Sequence, residues 1–327
     1  MDQPDAGGAF VSTGNLPPPA SVRSLVDEAH ARFAAVDQGA LSQVYPALAR
    51  TPPQLFGVCV AGADGSVHAV GDADVPFTIM SVSKPFLFAL VCDLIGPTGA
   101  RERLGVNATG LPFNAFTAEH SPDGRANPMV NTGAIAATSL VPGADAAERW
   151  AFIHRGLSRF AGRDLALDEE TYASATESNF RNRALAWGLH SQGRIYADPM
   201  EALDLYTRQC ALEVSARDLA VMGATLAHGG FNPITRDQVI APEICHYTLA
   251  VMLTAGLYET SGDWLYEIGL PGKSGIGGGI VTVSPGKGGL GTFSPLLDEA
   301  GNSVRGQLAT QFLSRRLGLD LLVSSPV

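Results

Sequence analysis

The chain is poor in lysine, in aromatic residues and in positive charge. Lys and Arg together number 22 against 32 Asp and Glu, a formal net charge of −10, which works against binding to a nucleic-acid backbone or an anionic membrane surface. Its four cysteines, Cys59, Cys92, Cys210 and Cys245, are too few for a disulfide scaffold and too widely spaced for a CxxC metal site, so reduced and mostly buried thiols are expected. His30, His68, His120, His154, His190, His228 and His246 show neither HExxH nor HxxEH spacing, which argues against a metal centre. Gly275-Ile276-Gly277-Gly278-Gly279 is not GxGxxG and leads into a strand, which argues against nucleotide binding. The longest apolar run, Phe86 to Cys92, stops at Asp93, far short of the roughly 20 residues a membrane helix needs. Residues 1–20 have no basic or apolar leader character and end in Pro17-Pro18-Pro19, so a cytoplasmic protein with a flexible N-terminal segment over 1–20 is expected.

What is present is the balance of an ordered protein, with 46% hydrophobic and 17% charged residues. The 327 residues allow two domains, or one large domain with an inserted layer. Apolar spacing predicts a first helix over Val22–Val36, capped by Ser21 or Ser24. Two strands, Leu55–Ala61 and Ser66–Val70, follow around an Asp64-Gly65 turn. Helical periodicity then runs over Ser81–Ile95, with Pro85 in the first turn, and over Asn127–Val141, Asp145–Ala161, Ala216–His228 and Pro242–Leu257. Asp168-Glu169-Glu170 reads as the acidic first turn of another helix. Strand character returns over Gly279–Ser284 and Leu290–Ser294, flanking Pro285-Gly286, before a last helix over about Asn302–Leu317. Strands at both ends with helices between predict an α+β fold: an antiparallel sheet built from both chain ends and covered by helices, with a helical subdomain inserted.

The scarcity of lysine makes each one informative, because only Lys84, Lys273 and Lys287 break a sequence of arginines. Ser81-Val82-Ser83-Lys84 is an S-x-x-K at a helix start. Residues three apart share a helix face, so the amine can reach the hydroxyl, and a buried lysine of lowered pKa can serve as its base. The same pattern in Ser284-Pro285-Gly286-Lys287 reads as a hairpin turn, so the motif alone is weak. Lys273-Ser274-Gly275, opening the late strand segment, strengthens it, since S-x-x-K serine hydrolases of the β-lactamase and penicillin-binding type keep a K-[ST]-G there.

From about Gly39 to Arg305 the sequence resembles the serine-dependent glutaminases. The resemblance rests on Val75-Pro76-Phe77 leading to Ser81-x-x-Lys84; Asn127-Pro128-Met129-Val130-Asn131-x-Gly133-Ala134-Ile135; Arg181-Asn182; Tyr206-x-x-x-Cys210; Gly229-Gly230-Phe231-x-Pro233-Ile234; Gly256-x-Tyr258-x-x-Ser261-Gly262; and Gly269-Leu270-Pro271-x-Lys273-Ser274-Gly275. It implies a β-lactamase/DD-peptidase-like fold over 21–327, with the sheet layer drawn from about 21–80 and 265–327 and a helical subdomain over about 81–264. It implies hydrolysis of L-glutamine to L-glutamate and ammonia, with Ser81 as nucleophile, Lys84 as base and Tyr258 as proton relay. By the same resemblance Asn131, Asn182, Tyr206 and Ser274 bind substrate, and the backbone N–H groups of Ser81 and Ile276 form the oxyanion hole. It implies neither a metal nor an organic cofactor, a small-molecule partner (L-glutamine or a related amide), and a homodimer or homotetramer. Three positions depart from the family pattern: Val44 where it has tyrosine, Met80 where it has glutamine, and Ala175 where it has a glutamate that meets the substrate's α-ammonium. These departures leave open a serine amidohydrolase of the same fold acting on another small amide, or a non-catalytic binding homologue.

Overall fold

The computed structural model describes residues 14–112, 114–115 and 125–323, so most of the expected flexible segment 1–20 lies outside it. Two early strands, β1 (Gly57–Gly62) and β2 (Val67–Gly71), pair antiparallel across a turn in which Asp64 accepts hydrogen bonds from Ser66. Three late strands, β5 (Gly272–Ser274), β6 (Gly279–Ser284) and β7 (Gly288–Phe293), complete an antiparallel sheet in the order β2-β1-β7-β6-β5. Early and late strands meet at the β1–β7 pair, where Val58 faces Thr292 and Val60 faces Leu290.

Both faces of this sheet are covered, which explains why β1 is buried along its whole length. Val58 and Val60 point into a core with Val22, Val26 and Ala29 of helix α1 (Pro19–Phe33) and Ala309 and Leu313 of the last helix, Val304–Arg316. Cys59 and Ala61, on the opposite face by the two-residue period of a strand, pack on Ala220 and Ala224 of the helix Ala216–Ala227. That helix approaches β7 to backbone contact, because the strand presents Gly289 and Gly291 to it. A methyl group on Gly289 would stand 2.4 Å from the Ala220 carbonyl oxygen, and one on Gly291 2.0 Å from that of Ala216.

Most of the remaining helices pack around a second core beside this three-layer unit, while Trp264 and Ile268 of the short helix Ser261–Ile268 join the core of Val58 and Val60. In chain order the α-helices after α1 are α2 (Lys84–Leu104), α3 (Asn131–Thr138), α4 (Ala146–Ala161), α5 (Glu169–Ser178), α6 (Phe180–Ser191), α7 (Pro199–Cys210), then the sheet-covering helix already described, now α8, followed by α9 (Pro242–Ala255), α10 (Ser261–Ile268) and the last helix, α11. A short antiparallel pair, β3 (Phe77–Thr78) with β4 (Glu213–Val214), ties the entry of α2 to the end of α7. Phe77 stacks on Phe293 of β7 with ring centroids 4.1 Å apart, anchoring that entry to the main sheet.

Several boundaries differ from the sequence expectation. Helix α1 starts three residues early with Pro18 as its N-cap and no side-chain cap, so neither Ser21 nor Ser24 caps it; proline supplies the preset φ of a helix start instead. Asn127–Val141 narrows to α3 because Asn127 folds back to accept the N–H of Met129. The apolar stretch Met80–Leu104 is long and apolar enough by composition to cross a bilayer, which the break at Asp93 had hidden. Yet 72% of its most apolar window is buried inside the protein, as for a core helix, and Gly96 at φ 76° kinks it. The second S-x-x-K is indeed the β6–β7 turn, with Lys287 donating to the Gly318 carbonyl at 2.9 Å. All four thiols are free; Cys59, Cys92 and Cys245 are buried and Cys210 partly so.

Candidate active site

Ser81 lies in a 3₁₀ turn, Met80–Ser83, immediately before α2 rather than within it. The residue before it, Met80, adopts φ 47°, a left-handed conformation costly for a side chain of this size. The turn is pinned from below: Ser83 donates to the Met80 carbonyl at 2.8 Å, and the Gln209 amide of α7 donates to the Ser83 hydroxyl at 2.8 Å. Across the turn lies Gly275, packed so closely that a methyl group there would meet the Ile79 carbonyl oxygen at 3.1 Å and the Ser81 nitrogen at 3.2 Å. The end of β5 and the loop carrying Ile276 thereby close on Ser81.

Lys84 projects from the first residue of α2 into the interior, where it is 1% exposed. Its ammonium nitrogen donates to Asn131 Oδ1 at 2.7 Å, and no carboxylate partners it among the described salt bridges. Burial without a counter-charge pulls its pKa down to about 7. Asn131 is held by a polar relay. Tyr206 donates to its Oδ1 at 3.1 Å, its own amide donates to Asn182 Oδ1 at 2.9 Å, Asn182 donates to Asn179 at 2.6 Å, and Asn179 donates to Thr207 at 3.0 Å. Four helices, α2, α3, α6 and α7, thus fix one amine.

Tyr258 begins a second strained 3₁₀ turn, Tyr258–Thr260, at φ 57°. Ser261 donates to the Tyr258 carbonyl at 2.8 Å and accepts the Leu257 N–H at 3.0 Å, which holds the turn. The Tyr258 hydroxyl donates to the Ser274 carbonyl at 3.2 Å, and burial pushes the phenol up to about 12 even though the Ser81 hydroxyl beside it opposes the rise. Lys273 of β5 lies 4.2 Å from the Tyr258 ring centre and donates to the same Ser274 carbonyl at 2.8 Å. It is fully buried, and desolvation together with the nearby Lys84 amine holds its pKa well below the usual lysine range. The Ser274 hydroxyl is fully buried and makes no hydrogen bond, so this expected substrate contact does not line the cavity beside Ser81.

That cavity, about 140 Å³, is lined by Ser81, Asn131, Asn182, Tyr206 and Ile276 from the sequence expectation, and by Val44, Met80 and Ala175, the three departures. Sequence reasoning did not single out Asn179, and it gave no site role to Arg181 of the Arg181-Asn182 motif or to Tyr45, which stands one residue off the register of the tyrosine that Val44 replaces. Asn179 stands three residues before Asn182, a helical spacing that could have revealed it, whereas Tyr45 comes from a loop whose approach no local pattern encodes. Five of the eight expected residues therefore line one cavity, with the Ser81 hydroxyl at its wall; Lys84, Tyr258 and Ser274 do not line it, and Lys84 lies buried beneath, bonded to Asn131.

Residues 39–322 match the family model described as Glutaminase. The chain belongs to the glutaminase family. It is 67% identical over 318 residues to Glutaminase 2 of Yersinia pestis, covering 97% of this chain and 94% of that protein. A glutaminase of Bordetella avium is 49% identical over 305 residues, with 91% and 96% covered. Among solved structures, the probable glutaminase ybaS superposes with a TM-score of 0.92 at 42% identity, covering 94% of this chain and 100% of that one. A probable glutaminase from Bacillus subtilis complexed with 6-diazo-5-oxo-L-norleucine gives 0.81 at 30% identity, with 97% and 100% covered. In this family member Ala175 and Met80 remain as wall residues of the cavity, and their placement there shows that the departures touch the site itself.

Proposed function

We propose that this protein hydrolyses L-glutamine to L-glutamate and ammonia through an acyl-enzyme on Ser81, on a β-lactamase/DD-peptidase-like scaffold. The observation that carries the reading is the buried, uncompensated Lys84 three residues after Ser81, with its pKa drawn to about 7. A neutral amine is a competent base near neutral pH, and a general base is most effective when its pKa is close to the working pH.

In the first step the Ser81 hydroxyl attacks the side-chain amide carbon while its proton passes to neutral Lys84. The carbonyl oxygen becomes an oxyanion facing the backbone N–H groups of Ser81 and Ile276; each such donor contributes about 10²–10³ in rate. The C–N bond then breaks as the leaving nitrogen takes a proton relayed from Lys84 through Tyr258, giving ammonia and a γ-glutamyl ester. Water attacks the ester, gives its proton back along the same route, and releases glutamate with Ser81 restored. Asn131 holds Lys84 in place, while Asn182 and Tyr206 complete the wall that positions the substrate; desolvation is what keeps Lys84 neutral, and Lys273 beside it is held below the usual lysine range by its own burial and by Lys84. Ser274 contributes its carbonyl to orient Tyr258 and Lys273.

The diazo-ketone 6-diazo-5-oxo-L-norleucine tests the nucleophile directly. Incubation with the full chain, followed by peptide mapping, is expected to place one adduct on Ser81 and none on Ser83; modification elsewhere, or none, overturns the reading. The pH dependence is a second test. Lys84 must be neutral to act, so kcat/KM for glutamine is expected to fall about tenfold per pH unit below roughly 7 and to level off above it. A profile that rises as the pH falls from 7 to 5 would assign the base elsewhere.

A further inference from the structure

Resting on the glutaminase reading above, we infer that the site is not selective for the substrate's α-ammonium and hydrolyses small ω-amides of dicarboxylic acids that lack the α-amino group as readily as L-glutamine. One wall of the cavity is a face of α5, where Thr171, Ala175 and Ser178 recur at helical spacing and all line it together with Ser81. At its centre Ala175, 4% exposed, offers only a methyl group. The hydroxyls on either side have spent their protons elsewhere, Thr171 on Asp168 at 2.7 Å and Ser178 on the Ser174 carbonyl at 2.7 Å.

Charge points the same way. Among the described residues that line the cavity, the only ionic side chain is Arg181, whose guanidinium donates to the Asn114 carbonyl at 2.6 Å. The two ionisable amines packed beneath the site are Lys84 and Lys273, and the phenols Tyr45, Tyr206 and Tyr258 are held neutral by burial. With Lys84 neutral as the base and Lys273 held well below the usual lysine range, the charge that remains among these described groups is the positive guanidinium of Arg181. Such a field attracts the substrate's carboxylate and opposes a cation two bonds away from it. L-Glutamine brings both charges, whereas the corresponding monoamide without the amino group brings the carboxylate alone. The cavity of about 140 Å³ restricts either to a short chain.

The test compares kcat/KM for L-glutamine with that for 4-carbamoylbutanoate, which has hydrogen in place of the ammonium, in the full chain and in Ala175→Glu and Ala175→Gln. The wild-type ratio is expected to lie within about tenfold, the lower bound of what one hydrogen bond to a charged group contributes. Ala175→Glu is expected to shift the ratio toward glutamine by roughly 10- to 150-fold, mainly through KM, while Ala175→Gln leaves it near the wild-type value. A wild-type preference for glutamine beyond about tenfold, with ammonia release still dependent on Ser81, overturns this inference and leaves the glutaminase reading intact. Release from neither amide by folded protein overturns both. The wild-type ratio decides the matter even where a buried carboxylate prevents folding of Ala175→Glu, which a melting curve of the variant reveals.

Discussion

Ser81→Ala is expected to lower kcat for ammonia release from L-glutamine by at least about 10⁴-fold, because in the proposed mechanism it removes the nucleophile, abolishes the two-step path and leaves only binding and oxyanion stabilisation. The fold should be untouched. The turn that carries Ser81 is held by Ser83, Met80 and Gln209, and the Ser81 side chain contributes none of those bonds. Circular dichroism and melting temperature should therefore match the parent within experimental error, which separates lost chemistry from lost structure. A variant that keeps more than a few per cent of the parent's rate would remove Ser81 from the mechanism and direct attention to Ser83, the nearest alternative hydroxyl on the same turn.

The second large effect is on stability. Gly289→Val is expected to destabilise the protein by about 3 kcal/mol or more, the upper range for overpacking a filled interior. A β-carbon at this position would lie 2.4 Å from the Ala220 oxygen, 2.4 Å from the Ala224 nitrogen and 2.5 Å from the Gly223 carbonyl carbon, all backbone atoms of α8. No rotamer relieves a clash with backbone, so α8 must lift from β7, opening the layer that also buries Cys59 and Ala61. Thermal denaturation should show a fall of roughly 5 °C or more. A melting temperature equal to the parent's would mean that the helix–sheet layer is looser than its geometry states.

Much of this architecture is legible in the chain because local rules suffice for it. The strands of β1, β2, β6 and β7 follow from β-prone runs and from turn residues such as Asp64-Gly65 and Pro285-Gly286, since a tight turn fixes the pairing of the strands it joins. Helix α5 follows from Asp168, which accepts the Thr171 N–H as the acidic start predicts. The short strands β3 and β4 were not expected, because two residues carry no periodicity and pair only where the tertiary structure brings them together. Helices α6 and α7 are amphipathic segments whose buried faces, with Leu185 and Leu189 or Leu203 and Tyr206, are interrupted by charged residues that weaken the pattern.

By itself the sequence determined the chemistry on offer: a hydroxyl and an amine three residues apart, a second lysine in Lys273-Ser274-Gly275, and the asparagines and tyrosines that match a glutaminase pattern. Only the tertiary structure set the surroundings of the two S-x-x-K motifs. Ser81 and Lys84 are buried against residues that lie 47 positions away at Asn131 and, through Asn131, a further 51 away at Asn182, whereas Lys287 reaches an ordinary backbone carbonyl at the end of a hairpin. The physical reason is desolvation. An amine acquires a pKa near 7 only where packing from distant segments excludes water and supplies no counter-charge, and that environment is a property of the assembled helices rather than of any four residues.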